Sequence, residues 1–264
     1  MKQRIITGVL GGIIFLAMVF MGGLWYSIFI LLLALIGLYE FLRMAGFRPL
    51  GLPGLLSYLL LLGTIWPFLF SGTFAGVDLS SVLMPILLLM LFYSVLSKNQ
   101  LHIEHIALLV LGALYIGYGF RYMAATRDIA PGDVGLWLTI LVLLGIWSTD
   151  SGAYFVGRAM GKRKLWPAIS PNKTVEGSIG GLVIALIVVV GINAIIGLLS
   201  FGQAAAIAFV TAIAAQIGDL VESAMKRHFG VKDSGRIFPG HGGVLDRFDS
   251  FLFVFPILHL LHLL

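Results

Sequence analysis

Apolar residues in this chain come in long unbroken runs that end in short polar clusters; they do not alternate with polar positions. A helix across a hydrocarbon core takes roughly 20 apolar residues. Nine runs reach about that length: 5–22, 24–44, 52–70, 80–97, 105–124, 134–156, 177–199, 203–222 and 247–264. Pro85 interrupts the fourth, and Pro53 and Pro67 fall in the third. A membrane helix tolerates proline where neighbouring groups satisfy the carbonyl it frees. Lys2 and Arg4 precede the first run as they would in a signal peptide, but no small-residue cleavage site follows, so a retained first helix is expected.

The pattern predicts an all-α integral membrane protein of about nine transmembrane helices. Composition agrees: 59% of the residues are hydrophobic and 11% charged, against roughly 25% charged in soluble domains. Cysteine is absent, which excludes disulfides and thiolate metal sites. The placement of Lys and Arg orients the chain. With a cytoplasmic N-terminus and nine crossings, only Arg121 and Arg127 of the 17 basic residues face the other side. The C-terminus is then expected opposite the N-terminus. Residues 1–130 read as N-terminal helices for packing and lipid access. Residues 131–264 read as a C-terminal transmembrane region with cytoplasmic loops 157–176 and 223–246, the part of the chain where candidate chemistry collects.

Gly8-x-x-x-Gly12 and Gly177-x-x-x-Gly181 place small residues one turn apart, a spacing that lets backbones approach. Packing within the chain and a dimer contact both fit it.

Polarity collects in one stretch, Ser223–Asp249, with five basic residues, three acids and five glycines. Acids inside apolar helices cost about 2.5–3.5 kcal/mol on insertion scales and ask for a reason. Asp150 sits in the sixth run, Asp219 and Glu222 end the eighth, and Asp246 and Asp249 open the ninth. Helical spacing puts Asp219, Glu222, Ser223 and Lys226 on one face. Internal ion pairing is one reading. The other is a hard-cation site, since Mg²⁺ takes one or two carboxylates together with substrate phosphates and Lys and Arg hold the remaining phosphate oxygens. His241-Gly242-Gly243 adds backbone that an anion can approach closely. No P-loop or dinucleotide fingerprint is present. Glu40 and Arg43, one turn apart, read as a structural pair. His259 and His262 lack a third ligand nearby and read as packing residues.

Several blocks resemble those of the phosphatidate cytidylyltransferases, or CDP-diacylglycerol synthases. The main one is Ser223-x-Met225-Lys226-Arg227, then Lys232-Asp233-x-Gly235, then Phe238-Pro239-x-His241-Gly242-Gly243-Val244-x-Asp246-Arg247-Phe248-Asp249. Further blocks are Thr149-Asp150-Ser151-Gly152-Ala153-Tyr154-Phe155, Ser170-Pro171-x-Lys173-Thr174-x-Glu176-Gly177 and Gln216-x-Gly218-Asp219-Leu220-x-Glu222-Ser223. Asn172 stands where a second lysine is usual, and Val175 where tryptophan is common.

The resemblance implies a dimeric enzyme of the inner (cytoplasmic) membrane with a cytoplasmic-facing site. It implies transfer of CMP from CTP to phosphatidic acid among membrane lipids, with Mg²⁺ required and no nucleic-acid partner. The clustered carboxylates leave room for a second cation such as K⁺. On that footing Asp219 and Asp246 are the expected metal ligands, with Asp249 and Asp150 additional. Lys226, Arg227, Lys232 and Arg247 are expected to divide the phosphates, with Ser223 donating a hydrogen bond. Asp233 and His241 complete the catalytic candidates. Lys173 is the candidate for the lipid headgroup, with Ser170, Gly242 and Gly243 as further substrate contacts. A CTP-dependent polyprenol kinase and a transporter are the competing classes.

Overall fold

The computed structural model describes residues 2–69, 79–130, 132–238, 240 and 242–264, without side-chain placement for 2–6, 66–69 and 79. Among the described residues the chain forms nine helices and one small hairpin. The helices are α1 (Lys2–Met21), α2 (Gly23–Met44), α3 (Leu52–Leu69), α4 (Leu79–Leu96), α5 (Ile103–Arg127), α6 (Val134–Met160), α7 (Val175–Ile196), α8 (Phe201–His228) and α9 (Leu245–Leu260). The all-α expectation holds, and each apolar run has its helix. Among the described residues five helices, α2, α5, α6, α7 and α8, are long and apolar enough to cross a membrane by length and composition.

Two helices overshoot their runs. α6 continues to Met160 and α8 to His228, so the first residues of the polar stretch are helical where a loop was expected. An apolar window stops at the first charges, but Glu222-Ser-Ala-Met-Lys-Arg-His continues α8 without Gly or Pro. Its last turn carries Lys226, Arg227 and His228, which suit the negative end of the helix dipole.

The chain divides into two compact units: Met1–Ala124 with Asp233–Asp246, and Ala125–Lys232 with Arg247–Leu264. In the first, the glycines of α5 let it lie close to its neighbours. A Cβ on Gly112 would strike the Phe41 ring, and one on Gly117 would press on Thr64. Arg121, within α5, donates from its guanidinium to the Thr64 carbonyl at 3.2 Å.

In the second unit α6 and α7 form the most extensive helix pair. The glycine spacing in α7 explains why. A Cβ on Gly177 would run into the Ala153 carbonyl at 2.7 Å, and one on Gly181 into that of Thr149 at 2.6 Å. This Gly-x-x-x-Gly pair therefore serves packing within the chain. Leu141, Val189 and Ala208, from α6, α7 and α8, are buried together. Buried Asn193 fixes the turn between α7 and α8, donating to the Leu199 carbonyl at 2.8 Å and accepting from the Leu199 N–H at 3.0 Å. A capping box then starts α8: Ser200 Oγ accepts from the Gln203 N–H, and Gln203 Oε1 accepts from the Ser200 N–H.

Between α6 and α7 lies an antiparallel hairpin, β1 (Lys164–Trp166) and β2 (Ser170–Thr174). Thr174 closes it and caps α7, its Oγ1 accepting from the Gly177 N–H at 3.1 Å. Glu176 ties down its other end, accepting from the backbone N–H groups of Lys162 and Arg163 at 3.0 and 3.2 Å. His259, read as a packing residue, has Nε2 2.9 Å from Thr126 Oγ1.

Candidate active site

Three of the four expected metal-ligand aspartates belong to the second unit, and glycine crossings bring them together. At Gly218 a Cβ would meet the Asp249 carbonyl and Phe253 Cβ, both at 2.8 Å, so α8 and the body of α9 touch backbone to backbone. Ser250 Oγ reinforces this by donating to the Ala215 carbonyl at 3.1 Å. Asp219 and Asp249 follow Gly218 and precede Ser250, and so come within electrostatic reach of one another. Gly152 lies against the Gly181 Cα. Two residues before it in α6, Asp150 feels the charges of Asp219, Lys173 and Arg247.

The hairpin supplies the balancing cation. Lys173, on β2, places Nζ 2.6 Å from Asp219 Oδ2, with both side chains partly exposed. The other Asp219 oxygen, Oδ1, accepts from Ser223 Oγ at 3.3 Å, one turn along α8. Lys226 pairs with buried Glu222 at the same i, i+4 spacing, so the predicted polar face of α8 forms as two linked pairs. Lys226 also interacts with Asp249. Arg227 donates from Nε to the Ile169 carbonyl in the hairpin turn at 3.3 Å. Ser170, half-buried, faces Trp166 across the hairpin. Arg247 and Lys232 are exposed.

The fourth aspartate, Asp246, belongs to the first unit and is held by its own loop. Its Oδ2 accepts from the Ser234 N–H, the Ser234 hydroxyl and the Gly243 N–H, each at 2.8 Å. The two adjacent glycines make this possible. Gly242 takes φ +81°, a left-handed backbone that side chains disfavour, and a Cβ there would collide with the Asp246 carboxylate. Of the two glycine amides expected to face phosphate, the Gly243 N–H is thus donated to Asp246. Phe238 and Gly242 form a bridge that closes the loop, Phe238 N–H to Gly242 carbonyl at 3.0 Å. Asp233 is exposed. His241 lies outside the described residues.

Among the described residues, no group of three or more His, Asp or Glu side chains is gathered closely enough to hold a metal by itself. Mg²⁺ does not require such a cage, because it keeps waters and shares its shell with substrate phosphates. The hard oxygen donors of Asp219, Asp249 and Asp150 suit it, and the Lys173 ammonium already places a cation against Asp219.

This chemistry can be set beside known proteins. A family model described as "Cytidylyltransferase family" matches residues 2–264. The chain belongs to the cytidylyltransferase family. Similar curated members are each named phosphatidate cytidylyltransferase. The protein of Bacillus subtilis (strain 168) is 46% identical, with 99% of this chain and 97% of the relative covered. That of Staphylococcus haemolyticus (strain JCSC1435) is 44% identical over 99% and 98%. That of Staphylococcus aureus (strain COL) is 42% identical over 99% and 98%. The family resemblance read from the C-terminal blocks thus extends over the whole chain.

Three residues of this cytidylyltransferase-family chain have roles that the sequence alone did not reveal. Gly218 lay inside a recognised block but with no reason attached; its reason is the α8–α9 crossing. Glu176 anchors the hairpin that carries Lys173. Glu40 is not joined to Arg43, whose guanidinium lies 5.9 Å over the Tyr39 ring. An acid one turn from a base suggests a pair, but the hydrogen bond that Glu40 accepts comes from Leu245, 205 residues away.

Proposed function

We propose that this protein is a phosphatidate cytidylyltransferase, joining CTP to phosphatidic acid to give CDP-diacylglycerol and pyrophosphate in phospholipid synthesis. The observation that carries the reading is the full-length similarity to relatives of that name. The clustered carboxylates and bases of α6, α8, α9 and the hairpin agree with it. In the reaction a phosphate oxygen of phosphatidic acid forms a bond to the α-phosphorus of CTP. The bond from that phosphorus to the α–β bridging oxygen breaks, and pyrophosphate leaves with the electron pair. The nucleophile is already anionic, so the protein's task is to bring two anions together and steady the leaving charge.

The chain's own residues are suited to that task. Lys226, Arg227, Lys232 and Arg247 are the candidates for the CTP phosphates. Lys173, on a hairpin fixed by Glu176 and Thr174, is the candidate for the lipid phosphate. Releasing Asp219 would free its ammonium for that role. Asp219, Asp249 and Asp150 would hold Mg²⁺, and Asp246 is the further ligand expected from sequence. When bound, the ion would neutralise charge on the phosphates and on departing pyrophosphate. The placement of Lys and Arg supports nine crossings, a cytoplasmic N-terminus and a cytoplasmic site in the inner membrane. A homodimer is part of the same proposal.

The test is transfer by purified protein of a radiolabel from the α-phosphate of CTP into lipid. Label should enter lipid only when phosphatidic acid is supplied. Transfer of γ-label with no α-label in lipid would instead identify a lipid kinase.

A further inference from the structure

Glu40 sits near the end of α2, a largely apolar helix, and is only 3% exposed. A carboxylate in such a place needs donors. One of its oxygens, Oε2, finds them at the N-terminus of α9, where the first-turn N–H groups have no partners inside the helix and the dipole favours negative charge, while Oε1 is buried without a hydrogen-bond partner among the described residues. Glu40 Oε2 accepts from the Leu245 N–H at 3.0 Å, and the Val244 N–H adds a second backbone interaction. The Ser234 hydroxyl lies 3.3 Å from the same oxygen.

The loop is shaped to admit this side chain. A Cβ on Gly235 or on Gly243 would run into the Glu40 carboxylate, so both positions bring bare backbone against it. Ser234 and Gly243 are also the residues that hold Asp246. A hydroxyl has one proton to give, and the shorter contact of Ser234 is to Asp246. Glu40 therefore holds the loop by the Leu245 N–H and packs against Ser234, Gly235 and Gly243, one link removed from the Asp246 carboxylate.

We propose that Glu40 is a positioning residue for cytidylyl transfer: from α2 it caps α9 and clasps the 234–245 loop, which fixes the direction of the Asp246 carboxylate. The proposal rests on the reading that Asp246 serves the reaction. Glu40 is buried, so the role proposed for it is exercised through the loop.

The experiment compares full-length wild type with Glu40→Gln, Glu40→Asp, Ser234→Ala and Asp246→Asn in the same lipid-detergent micelles. It measures kcat and KM for CTP and phosphatidic acid, and amide hydrogen exchange of the 234–246 segment. Misplacement by about 1 Å costs up to about 100-fold in rate. Glu40→Gln is therefore expected to lower kcat about 10- to 100-fold, with both KM values within about threefold and faster exchange confined to 234–246. Glu40→Asp keeps the charge on a shorter arm and should recover part of the rate. A purely structural role would leave kcat per folded molecule unchanged, and that result overturns the proposal, as does wild-type exchange in Glu40→Gln. If Glu40→Gln does not fold, Glu40→Asp decides: a severalfold fall in kcat with faster exchange in 234–246 supports the clasp, and wild-type values of both overturn it. Full activity in Asp246→Asn removes the reading beneath the proposal. That failure is separable, because Glu40→Gln would still loosen the segment in exchange.

Discussion

Lys173 Nζ lies 2.6 Å from Asp219 Oδ2, so the hairpin between α6 and α7 is pinned to the start of the polar face of α8. The pair joins the candidate lipid-phosphate ligand to a candidate metal ligand. A charge-assisted contact is worth roughly 1.5–3 kcal/mol. Lys173→Met is therefore expected to raise KM for phosphatidic acid by about tenfold or more. The same substitution removes the cation beside Asp219, so half-saturation should need less Mg²⁺. Steady-state kinetics over a matrix of lipid and Mg²⁺ concentrations separates the effects. An unchanged lipid KM would confine Lys173 to the role of counter-ion.

Chelation should stop the reaction and added Mg²⁺ should restore it. Asp219→Asn is expected to lose about 100-fold or more in kcat/KM, because metal stabilisation of phosphoryl charge is worth several kcal/mol. Excess Mg²⁺ should not rescue it. Binding of Mn²⁺, followed by electron paramagnetic resonance, should weaken in parallel, and full activity in this variant would exclude Asp219 as a ligand.

Glu176 holds the base of the hairpin through the N–H groups of Lys162 and Arg163. Each of these hydrogen bonds contributes about 1 kcal/mol, so removing one changes local opening roughly fivefold. Glu176→Ala should speed tryptic cleavage at Lys162–Lys164 by at least about fivefold without changing cleavage elsewhere. Equal rates in wild type and variant would show that the hairpin is held by other means.

The lack of native cysteine makes topology directly readable. With nine crossings and a cytoplasmic N-terminus, Arg127→Cys should react with a membrane-impermeant maleimide on intact spheroplasts. Lys164→Cys should react only after the membrane is opened. Labelling of both from one side would break the nine-crossing arrangement.

At the α6–α7 contact Gly181→Leu would drive a side chain into the Thr149 carbonyl and Ala153. Overpacking of this kind costs about 1–3 kcal/mol, equivalent to a melting temperature lower by roughly 2–12 °C in a chain of this size. Thermal unfolding in micelles measures it, and an unchanged midpoint would mean that the two helices separate freely.

The nine helices were legible because an apolar run is a local property, and each was found within a few residues. Helix ends were not, because α8 runs on through Lys226 and Arg227 on propensity and dipole, which a hydropathy window ignores. The acids were visible as misfits in apolar surroundings. Their partners were not, since partnership is set by tertiary approach. Nothing in the local sequence says that Gly218 brings Asp249 to Asp219, or that Glu40 bypasses Arg43 for Leu245. Gly242 and Gly243 showed the same limit, announcing close backbone approach without saying whether phosphate or carboxylate approaches.

The grip of Glu40 on Leu245 spans 205 residues of chain, and a ribosome makes them one at a time. At about 5–20 residues per second, Glu40 is synthesised on the order of 10–40 s before its donors exist. Over that interval α2 carries an acid that no later part of the chain has yet reached. Closure of the Asp246 loop is therefore a late event in biogenesis, and a chain cut before residue 245 would lack the N–H that Glu40 accepts from.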